Sequence, residues 1–216
     1  MNLICVSIKE NTTENVIRSL KGLELAEVRL DALKELKEGD MEKIFSQSMK
    51  LIATYRPDGK SDEFRKNILI KAIDSGAAYV DIEVESKDEY ENEIVKKAKQ
   101  KNCKVIVSYH NYEKTPPRGE LEQIIQWCFE SGADIAKIAC KINSDRDNAR
   151  LFGLLDSEKK IIIIGIGEKG KITRIVAPIL GSQFTFSSLA VGKETADGQI
   201  EINTMKKAIA ELRRYL

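Results

Sequence analysis

Residues 128–139 (CFESGADIAKIA) and residues 72–83 (AIDSGAAYVDIE) repeat one pattern at two places in the chain. In each stretch a helix-like segment ends at a Ser-Gly pair, and a short, mostly apolar run follows. Glycine just past the last helical turn is a common helix stop. A short apolar run after such a stop is typical of a strand buried on both faces of a parallel sheet. Each stretch therefore predicts a helix that leads into a buried strand.

The same alternation extends along the whole chain. Apolar runs predict eight strands, at residues 3–8, 25–29, 51–55, 79–84, 104–108, 134–139, 160–164 and 184–186. Amphipathic stretches predict eight helices, at residues 13–20, 41–48, 63–74, 89–101, 120–130, 144–155, 173–180 and 204–216. About eight such βα units, without a Pro- or Gly-rich linker, predict an α/β fold with a single (β/α)₈ TIM barrel over residues 1–216. A doubly wound open sheet is the alternative, because the number of strands alone does not exclude it.

The composition limits the possible partners. The 216 residues are 42% hydrophobic and 32% charged, which is typical of a globular protein, and 35 basic residues nearly balance 34 acidic ones. This balance does not indicate a nucleic-acid partner. The start, MNLICVSIKE, lacks the features of a signal peptide, and no run reaches the ~18 apolar residues of a membrane span. We therefore expect a cytoplasmic protein without a membrane partner. The four cysteines form no C-x-x-C pair, so we expect no metal site.

Lys137 is the single cation within the apolar strand predicted at residues 134–139. Burying an ammonium group is costly, so such a lysine must be paired, reach water or lose its proton. A neutral lysine is a nucleophile that forms a Schiff base with a carbonyl substrate. The alternative is a lysine whose ammonium group extends to solvent.

Polar residues collect at the ends of the predicted strands, where the active sites of barrel enzymes lie. They are Glu27, Arg29 and Asp31 at the second strand, Thr54 and Arg56 at the third, Asp81 and Glu83 at the fourth, and His110 after the fifth. Alternation along a strand directs such residues to one face, where arginine can bind an anionic or hydroxylated ligand. A purely structural ion cluster is the alternative.

His110 is the only histidine in the chain, and its strand directly precedes that of Lys137. Neighbouring strands of a barrel bring such residues together at its mouth. Because imidazole transfers protons near neutral pH, an imine-forming lysine beside it indicates chemistry at the carbon next to a ketone. An ordinary histidine without a catalytic role is the alternative.

Residues 165–170 (GIGEKG) match the dinucleotide pattern G-x-G-x-x-G, but they lie far from a first βαβ unit and lack a partner acid for a ribose. A backbone-rich loop followed by Arg174 favours an anion such as a carboxylate. The loop at residues 192–199, with Thr195 and Gln199, is placed to close over the same mouth.

Taken together, these motifs resemble the type I 3-dehydroquinate dehydratases, the Schiff-base enzymes of the shikimate pathway. The resemblance is carried by CVSI at residues 5–8, E-x-R-x-D at 27–31, T-x-R at 54–56, D-x-E at 81–83, SYHNYEKTP at 108–116, GADIAKIA at 132–139, G-x-x-T-R at 170–174, TF at 185–186 and ADGQ at 196–199. It implies loss of water from 3-dehydroquinate by syn elimination, giving 3-dehydroshikimate, without a metal or cofactor. It also implies a homodimer.

The resemblance also implies roles for individual residues. Lys137 would form the imine, His110 would be the general acid and base, and Arg174 would bind the substrate carboxylate. The residues expected to hold the ring hydroxyls and order the site are Glu27, Arg29, Arg56 and Gln199, and those expected to line it more loosely are Ser7, Phe186 and Thr195.

The chain departs from the family pattern after Arg56. Many members carry E-G-G there, with a glutamate that orients the catalytic histidine, whereas this chain has Pro57, Asp58, Gly59 and Lys60. Glu27, Asp58 or Glu63 would then take over the orienting role, or His110 would act without such a partner. Two alternatives to dehydration are a Schiff-base aldolase that cleaves a C–C bond and tolerates loss of His110, and a barrel that binds a ligand without turnover.

Overall fold

Parallel strands alternate with helices throughout the computed structural model, which describes residues 3–86 and 88–215. The strands are β1 (Ile4–Ile8), β2 (Leu25–Arg29), β3 (Lys50–Thr54), β4 (Tyr79–Glu83), β5 (Lys104–Asn111), β6 (Ile135–Lys141), β7 (Ile161–Ile166) and β8 (Thr185–Ser188). The helices are α1 (Thr13–Leu20), α2 (Asp40–Phe45), α3 (Asp62–Asp74), α4 (Asp88–Gln100), α5 (Arg118–Glu130), α6 (Asp145–Gly153), α7 (Lys171–Val176) and α8 (Ile202–Leu212). Short 3₁₀ turns occupy Leu30–Ala32, Glu168–Gly170 and Arg213–Tyr215.

The eight strands form one sheet in the order β7-β6-β5-β4-β3-β2-β1-β8, and every neighbouring pair is parallel. The two edges meet where the amide of Gln183, just before β8, donates to the carbonyl of Ile161 at the start of β7, at 3.0 Å. The sheet therefore curls into a nearly closed barrel surrounded by its helices. The prediction of a (β/α)₈ TIM barrel is confirmed, and the open-sheet alternative is wrong.

The helix ends follow the local rules that the sequence suggested. Gly76 and Gly132 have φ angles of +106° and +92°, the left-handed conformation in which glycine ends a helix without steric cost. At the other ends, Thr12 and Ser61 accept hydrogen bonds from the amides of Asn15 and Phe64, both at 3.2 Å. These caps satisfy amides that the first turns of α1 and α3 leave without a partner.

The strand alternation fills the barrel interior with layers of four side chains, contributed in turn by even-numbered and odd-numbered strands. From the N-terminal ends of the strands upward, three such layers are Leu25, Tyr79, Ile135 and Phe184; Cys5, Ile52, Ile106 and Ile162; and Glu27, Asp81, Lys137 and Phe186. The first two are almost entirely apolar, and the third is mostly polar. We call the N-terminal end the floor and the C-terminal end the mouth. The polar layer lies on the mouth side of a solid apolar core.

Some element boundaries differ from those predicted. β5 and β6 continue to Asn111 and Lys141, because residues 109–111 pair with residues 138–140 although their side chains are partly polar. α2 is shorter than residues 41–48, and α7 begins two residues earlier than residue 173 and ends at residue 176. The helix predicted at 204–216 is Ile202–Leu212, and its last predicted residue lies outside the described residues. No helix in the described ranges combines the length and the apolar character that crossing a membrane requires.

Candidate active site

A cavity of about 380 Å³ opens at the mouth of the barrel. Its lining contains every side chain that the sequence predicted for the site: Ser7, Glu27, Arg29, Arg56, His110, Lys137, Arg174, Phe186, Thr195 and Gln199. It also contains residues that were not predicted as site residues, among them Glu83, Tyr112, Ile164 and Ile166. Residues from seven different strands thus meet in one place, as parallel strands of a barrel allow.

Lys137 reaches the cavity from β6 and is only 5% exposed. Its Nζ lies 3.0 Å from Oδ2 of Asp81 and 4.2 Å from the ring centre of Phe186. The carboxylate and the aromatic face both stabilise the ammonium group. Lys137 is therefore paired, and the alternative in which its ammonium group extends to solvent is wrong.

Asp81 is the most important residue that the predicted site did not include. It is 1% exposed and accepts three charged or polar donors, from Lys137, from Arg56 at 2.9 Å and from the Ser108 hydroxyl at 2.7 Å. Burial by itself would raise the pKa of Asp81, but the charges of Arg56 and Lys137 outweigh burial and hold that pKa well below its ordinary value. The D-x-E alternation had placed Asp81 at a strand end without distinguishing it from a structural ion cluster.

Arg56 and Glu83 extend this ion network toward the mouth. Nη1 of Arg56 contacts both Asp81 and Glu83, and Glu83 also accepts from Nη2 of Arg65 at 2.8 Å. Burial opposes the charge of Arg56, but Asp81 and Glu83 more than compensate and raise its pKa. Arg65 is anchored in turn by the carbonyl of Tyr55 at 3.1 Å. The network is therefore fixed from outside the barrel by α3.

Glu27 lies in the same layer as Lys137 and links the bottom of the mouth cavity to the loop above it. Its two carboxylate oxygens accept from Ser7 at 2.8 Å and from Thr54 at 3.0 Å. Ser7 in turn accepts from the amide group of Gln199 at 3.4 Å, and Gln199 accepts from the backbone amide of Thr195 at 2.7 Å. This chain of hydrogen bonds holds the loop over the cavity.

Arg29 is paired outside the Lys137 layer. Its guanidinium makes two parallel contacts to Asp31, at 2.9 and 2.7 Å, and Asp31 also accepts from the backbone amide of Arg56 at 3.2 Å. Such a bidentate pair fixes the plane of the guanidinium. The remaining edge of Arg29 borders the cavity.

Arg174 is 1% exposed and has unused hydrogen-bonding capacity. Its guanidinium donates to the carbonyls of Phe186 at 3.2 Å and Asp197 at 3.3 Å, while Nε has no partner in the described structure. Burial lowers the pKa of Arg174 to about 10, so it is still a cation at neutral pH. A buried cation with free donors, on the wall of a cavity, is suited to bind an anion.

The glycines of residues 165–170 serve close packing. A methyl group on Gly170 would collide with the backbone of Gly165, and one on Gly198 would collide with the carbonyl of Gly167. The amide of Gly167 also donates to the carbonyl of Asp197 at 3.1 Å. The G-x-G-x-x-G pattern therefore brings the turn before Arg174 against the loop that carries Gln199.

His110 occupies the last part of β5 and is partly exposed to the cavity. Its imidazole stacks on Tyr112, with ring centres 6.2 Å apart and planes inclined by 15°. Burial, reinforced by the charges of Arg56 and Lys137, lowers the pKa of His110 well below its ordinary value. The imidazole is therefore neutral at neutral pH and has a free lone pair.

None of the three proposed orienting acids hydrogen-bonds to His110. Glu27 is occupied by Ser7 and Thr54. Asp58 accepts from the Tyr55 hydroxyl at 3.0 Å, and Glu63 pairs with Lys66 at 2.7 Å on the outside of α3. Within residues 3–86 and 88–215, the imidazole makes one aromatic ring contact, with Tyr112. No group of three or more His, Cys, Asp or Glu side chains in these ranges is arranged to hold a metal ion.

Comparisons with known proteins agree on one family. The family model described as type I 3-dehydroquinase matches residues 4–215. A protein of Methanocaldococcus jannaschii named 3-dehydroquinate dehydratase is 38% identical over 218 residues, which cover 95% of this chain and 96% of that protein. A protein of the same name from Pyrococcus abyssi is 31% identical, covering 94% of this chain and 95% of its own.

A solved structure supports the same assignment. The crystal structure of 3-dehydroquinate dehydratase from Aquifex aeolicus superposes with a TM-score of 0.83 at 29% identity and covers 98% of this chain and 99% of its own. Both the sequence matches and this superposition extend over nearly the full chain. The chain belongs to the type I 3-dehydroquinase family.

Proposed function

We propose that the protein is a 3-dehydroquinate dehydratase, a hydro-lyase that converts 3-dehydroquinate to 3-dehydroshikimate by syn elimination through a Schiff base on Lys137. It would serve the shikimate pathway to chorismate and the aromatic amino acids. The observation that supports this most directly is one cavity that contains a buried lysine, a neutral imidazole and a buried arginine with free donors. These are the three groups that a ketone-bearing carboxylic acid needs for elimination beside its carbonyl.

Substrate binding precedes the chemistry. Arg174 binds the substrate carboxylate, because its unused guanidinium donors are buried at the wall of the cavity. Glu27, Arg29, Arg56 and Gln199 bind the ring hydroxyls, and Ser7, Thr195 and Phe186 complete the wall. Holding the ring in one orientation places its ketone at Lys137 and converts the later steps into unimolecular ones.

Imine formation is the first covalent step. The Lys137 ammonium first gives one proton to a neighbouring base, and the freed amine adds its lone pair to the ketone carbon. The carbonyl oxygen then leaves as water with that proton and a second one from the nitrogen, and a protonated imine remains. Asp81, which faces Nζ at 3.0 Å, offsets the positive charge of the ammonium before the reaction and of the iminium after it. Arg56 and Ser108 hold this carboxylate in place. Asp81 therefore positions Lys137 and the charge that it carries.

His110 moves the proton during elimination. It removes a proton from the carbon next to the iminium, and the C–H electrons pass into the iminium to give an enamine. The enamine electrons then expel the hydroxyl group one carbon further, and His110 returns the proton to it, releasing water. Hydrolysis of the conjugated iminium gives the product and restores Lys137. A positioned acid and base contributes about 10²–10⁴ in rate.

The wider setting follows the family. We infer a cytoplasmic enzyme that acts on a small molecule, forms a homodimer, uses no cofactor and has one catalytic domain over residues 1–216. The near balance of charge supports a partner other than nucleic acid.

Borohydride trapping tests the proposal. The protein is mixed with 3-dehydroquinate and borohydride, and peptide mass analysis is expected to find the reduced ligand on Lys137. Lys137→Ala should abolish both the adduct and the rise in ultraviolet absorbance of the conjugated product. Lys141→Ala is the matched control, since this lysine lies on the same strand and pairs with Asp197 outside the cavity lining.

The remaining outcomes separate the alternatives. Absence of both adduct and turnover in the unmodified protein would refute the proposal. An adduct without loss of water would indicate a binding barrel. Cleavage of a keto-acid that survives His110→Ala would indicate an aldolase.

A further inference from the structure

A second cavity, of about 690 Å³, lies at the floor of the barrel. Its walls are the N-terminal ends of the strands and the residues just before them, so it faces away from the candidate active site. The layer of Cys5, Ile52, Ile106 and Ile162 separates the two cavities. A volume of this size is within the usual range of small-molecule sites. The floor cavity is independent of the proposed reaction.

Three lysines on alternate strands form the rim of the floor cavity. Lys50 begins β3, Lys104 begins β5 and Lys160 directly precedes β7. Each lies two residues before an inward-facing isoleucine (Ile52, Ile106 and Ile162). Because residues two apart on a strand point to the same face, the lysine positions also face the inside of the barrel. Alternate strands are about 10 Å apart, so long lysine side chains can converge on one ligand.

The charge of this rim is mostly uncompensated. All three lysines are exposed, and none makes an ion pair within the described ranges. Among the described residues that line this cavity, Glu24 is the one acid, so three lysine charges stand beside one carboxylate and their formal sum is +2. Like charges held on one ring repel each other, and an anion among them relieves that repulsion.

The base of the floor cavity is apolar and aromatic. It is the lowest complete layer of the barrel, formed by Leu25, Tyr79, Ile135 and Phe184. The rings of Tyr79 and Phe184 meet edge to face, with centres 6.1 Å apart. An apolar base under a cationic rim recognises a ligand that has an apolar body and anionic substituents.

We propose that the floor cavity binds a compact polyanion with an apolar ring, of the class of aromatic tricarboxylates. The ring would lie on the layer of Tyr79 and Phe184, and the carboxylates would extend to Lys50, Lys104 and Lys160. The lysines also keep the exposed end of the sheet hydrated. Hydration alone, however, does not require that all three positions face the inside of the barrel, or that an aromatic layer lies beneath them.

Calorimetric titration with benzene-1,3,5-tricarboxylate tests this proposal. The unmodified protein should bind it, and the triple variant Lys50→Gln, Lys104→Gln, Lys160→Gln should bind at least about tenfold more weakly, since each exposed ion pair contributes modestly. The control triple variant Lys96→Gln, Lys114→Gln, Lys207→Gln removes the same charge from exposed positions outside the lining of the floor cavity and should bind within about twofold of the unmodified protein. Replacement of the three floor lysines by arginine should preserve binding.

Two further ligands define the ligand class, and dehydration is measured on all variants. Benzoate has the ring with one carboxylate instead of three, and inorganic tripolyphosphate has several negative charges without the ring, so both should bind more weakly than the tricarboxylate. No binding by the unmodified protein, equal loss in both glutamine variants, or equal affinity for tripolyphosphate would overturn the proposal. The floor variants should keep normal dehydration, so failure of this site and failure of the proposed function give different results.

Discussion

Replacing Asp81 with asparagine should destabilise the protein strongly, although the change in shape is minimal. The substitution removes one negative charge that faces Lys137 at 3.0 Å and Arg56 at 2.9 Å. Removing one partner of a buried ion pair typically costs about 3–5 kcal/mol. Arg56 keeps Glu83 as a counter-ion and Lys137 borders the cavity, so we expect the lower end of that range, about 3 kcal/mol in the free energy of unfolding.

The pH dependence of this loss has a definite sign. The pKa of Asp81 in the folded protein is below its ordinary value, so the folded state binds fewer protons here than the unfolded chain. The stability that Asp81 contributes is then complete above the ordinary aspartate pKa of about 4 and decreases as the pH falls toward the folded-state pKa. The difference between the unmodified protein and Asp81→Asn should therefore be constant near neutral pH and shrink in acid.

Urea unfolding of a double-mutant cycle measures how much of this loss in the free energy of unfolding comes from the pair of Asp81 and Lys137. Asp81→Asn, Lys137→Met and the double variant are each made, and we expect a coupling of about 1 kcal/mol or more. Asp40→Asn is the control, because Asp40 is equally a buried carboxylate but accepts from the amide of Lys37 outside the barrel. Equal costs of Asp81→Asn with and without the lysine would refute the assignment of Asp81 as its counter-ion.

Four further predictions concern the candidate active site. His110→Ala should still form the borohydride-trapped adduct while turnover falls by about 10²–10⁴, and near-normal turnover would remove His110 from the mechanism. Tyr112→Ala should lower kcat by about two- to tenfold, the value of one stacking contact, whereas Tyr112→Phe should not. Arg174→Gln should lower kcat/KM by about 10–100-fold through loss of a charged hydrogen bond, and an unchanged KM would argue against carboxylate binding there. Because the pKa of His110 is lowered, kcat/KM should stay constant as the pH falls through about 6.5 and decline only below it; a decline that begins above neutral pH would contradict a neutral imidazole.

The fold and most of the cavity lining could be predicted because strand alternation and fold topology determine both. Once Lys137 is on an inward-facing position of β6, the layer arrangement brings Glu27 and Phe186 to the same level without further information. Glycine stops at residues 76 and 132 marked where two of these strands begin.

The remaining features depend on contacts that no local pattern encodes. Asp81 and Glu83 look alike in the sequence, yet one faces the lysine and the other lies between two arginines, because two residues along a strand separate successive layers. Tyr112 lies beyond the predicted end of the fifth strand, and its stacking on His110 depends on the extension of that strand to Asn111. The orienting acid could not be chosen because each candidate's partners are set by tertiary packing.

The backbone contacts between Gly165 and Gly170, and between Gly167 and Gly198, leave no space for a methyl group. A shift of the turn that leads to Arg174 would consequently shift the loop that carries Gln199 as well. A design that admits a larger substrate ring therefore cannot change the loop alone. A side chain added at any of these glycines would displace Arg174 as well. Redesign of substrate size in this barrel has to exchange both segments together.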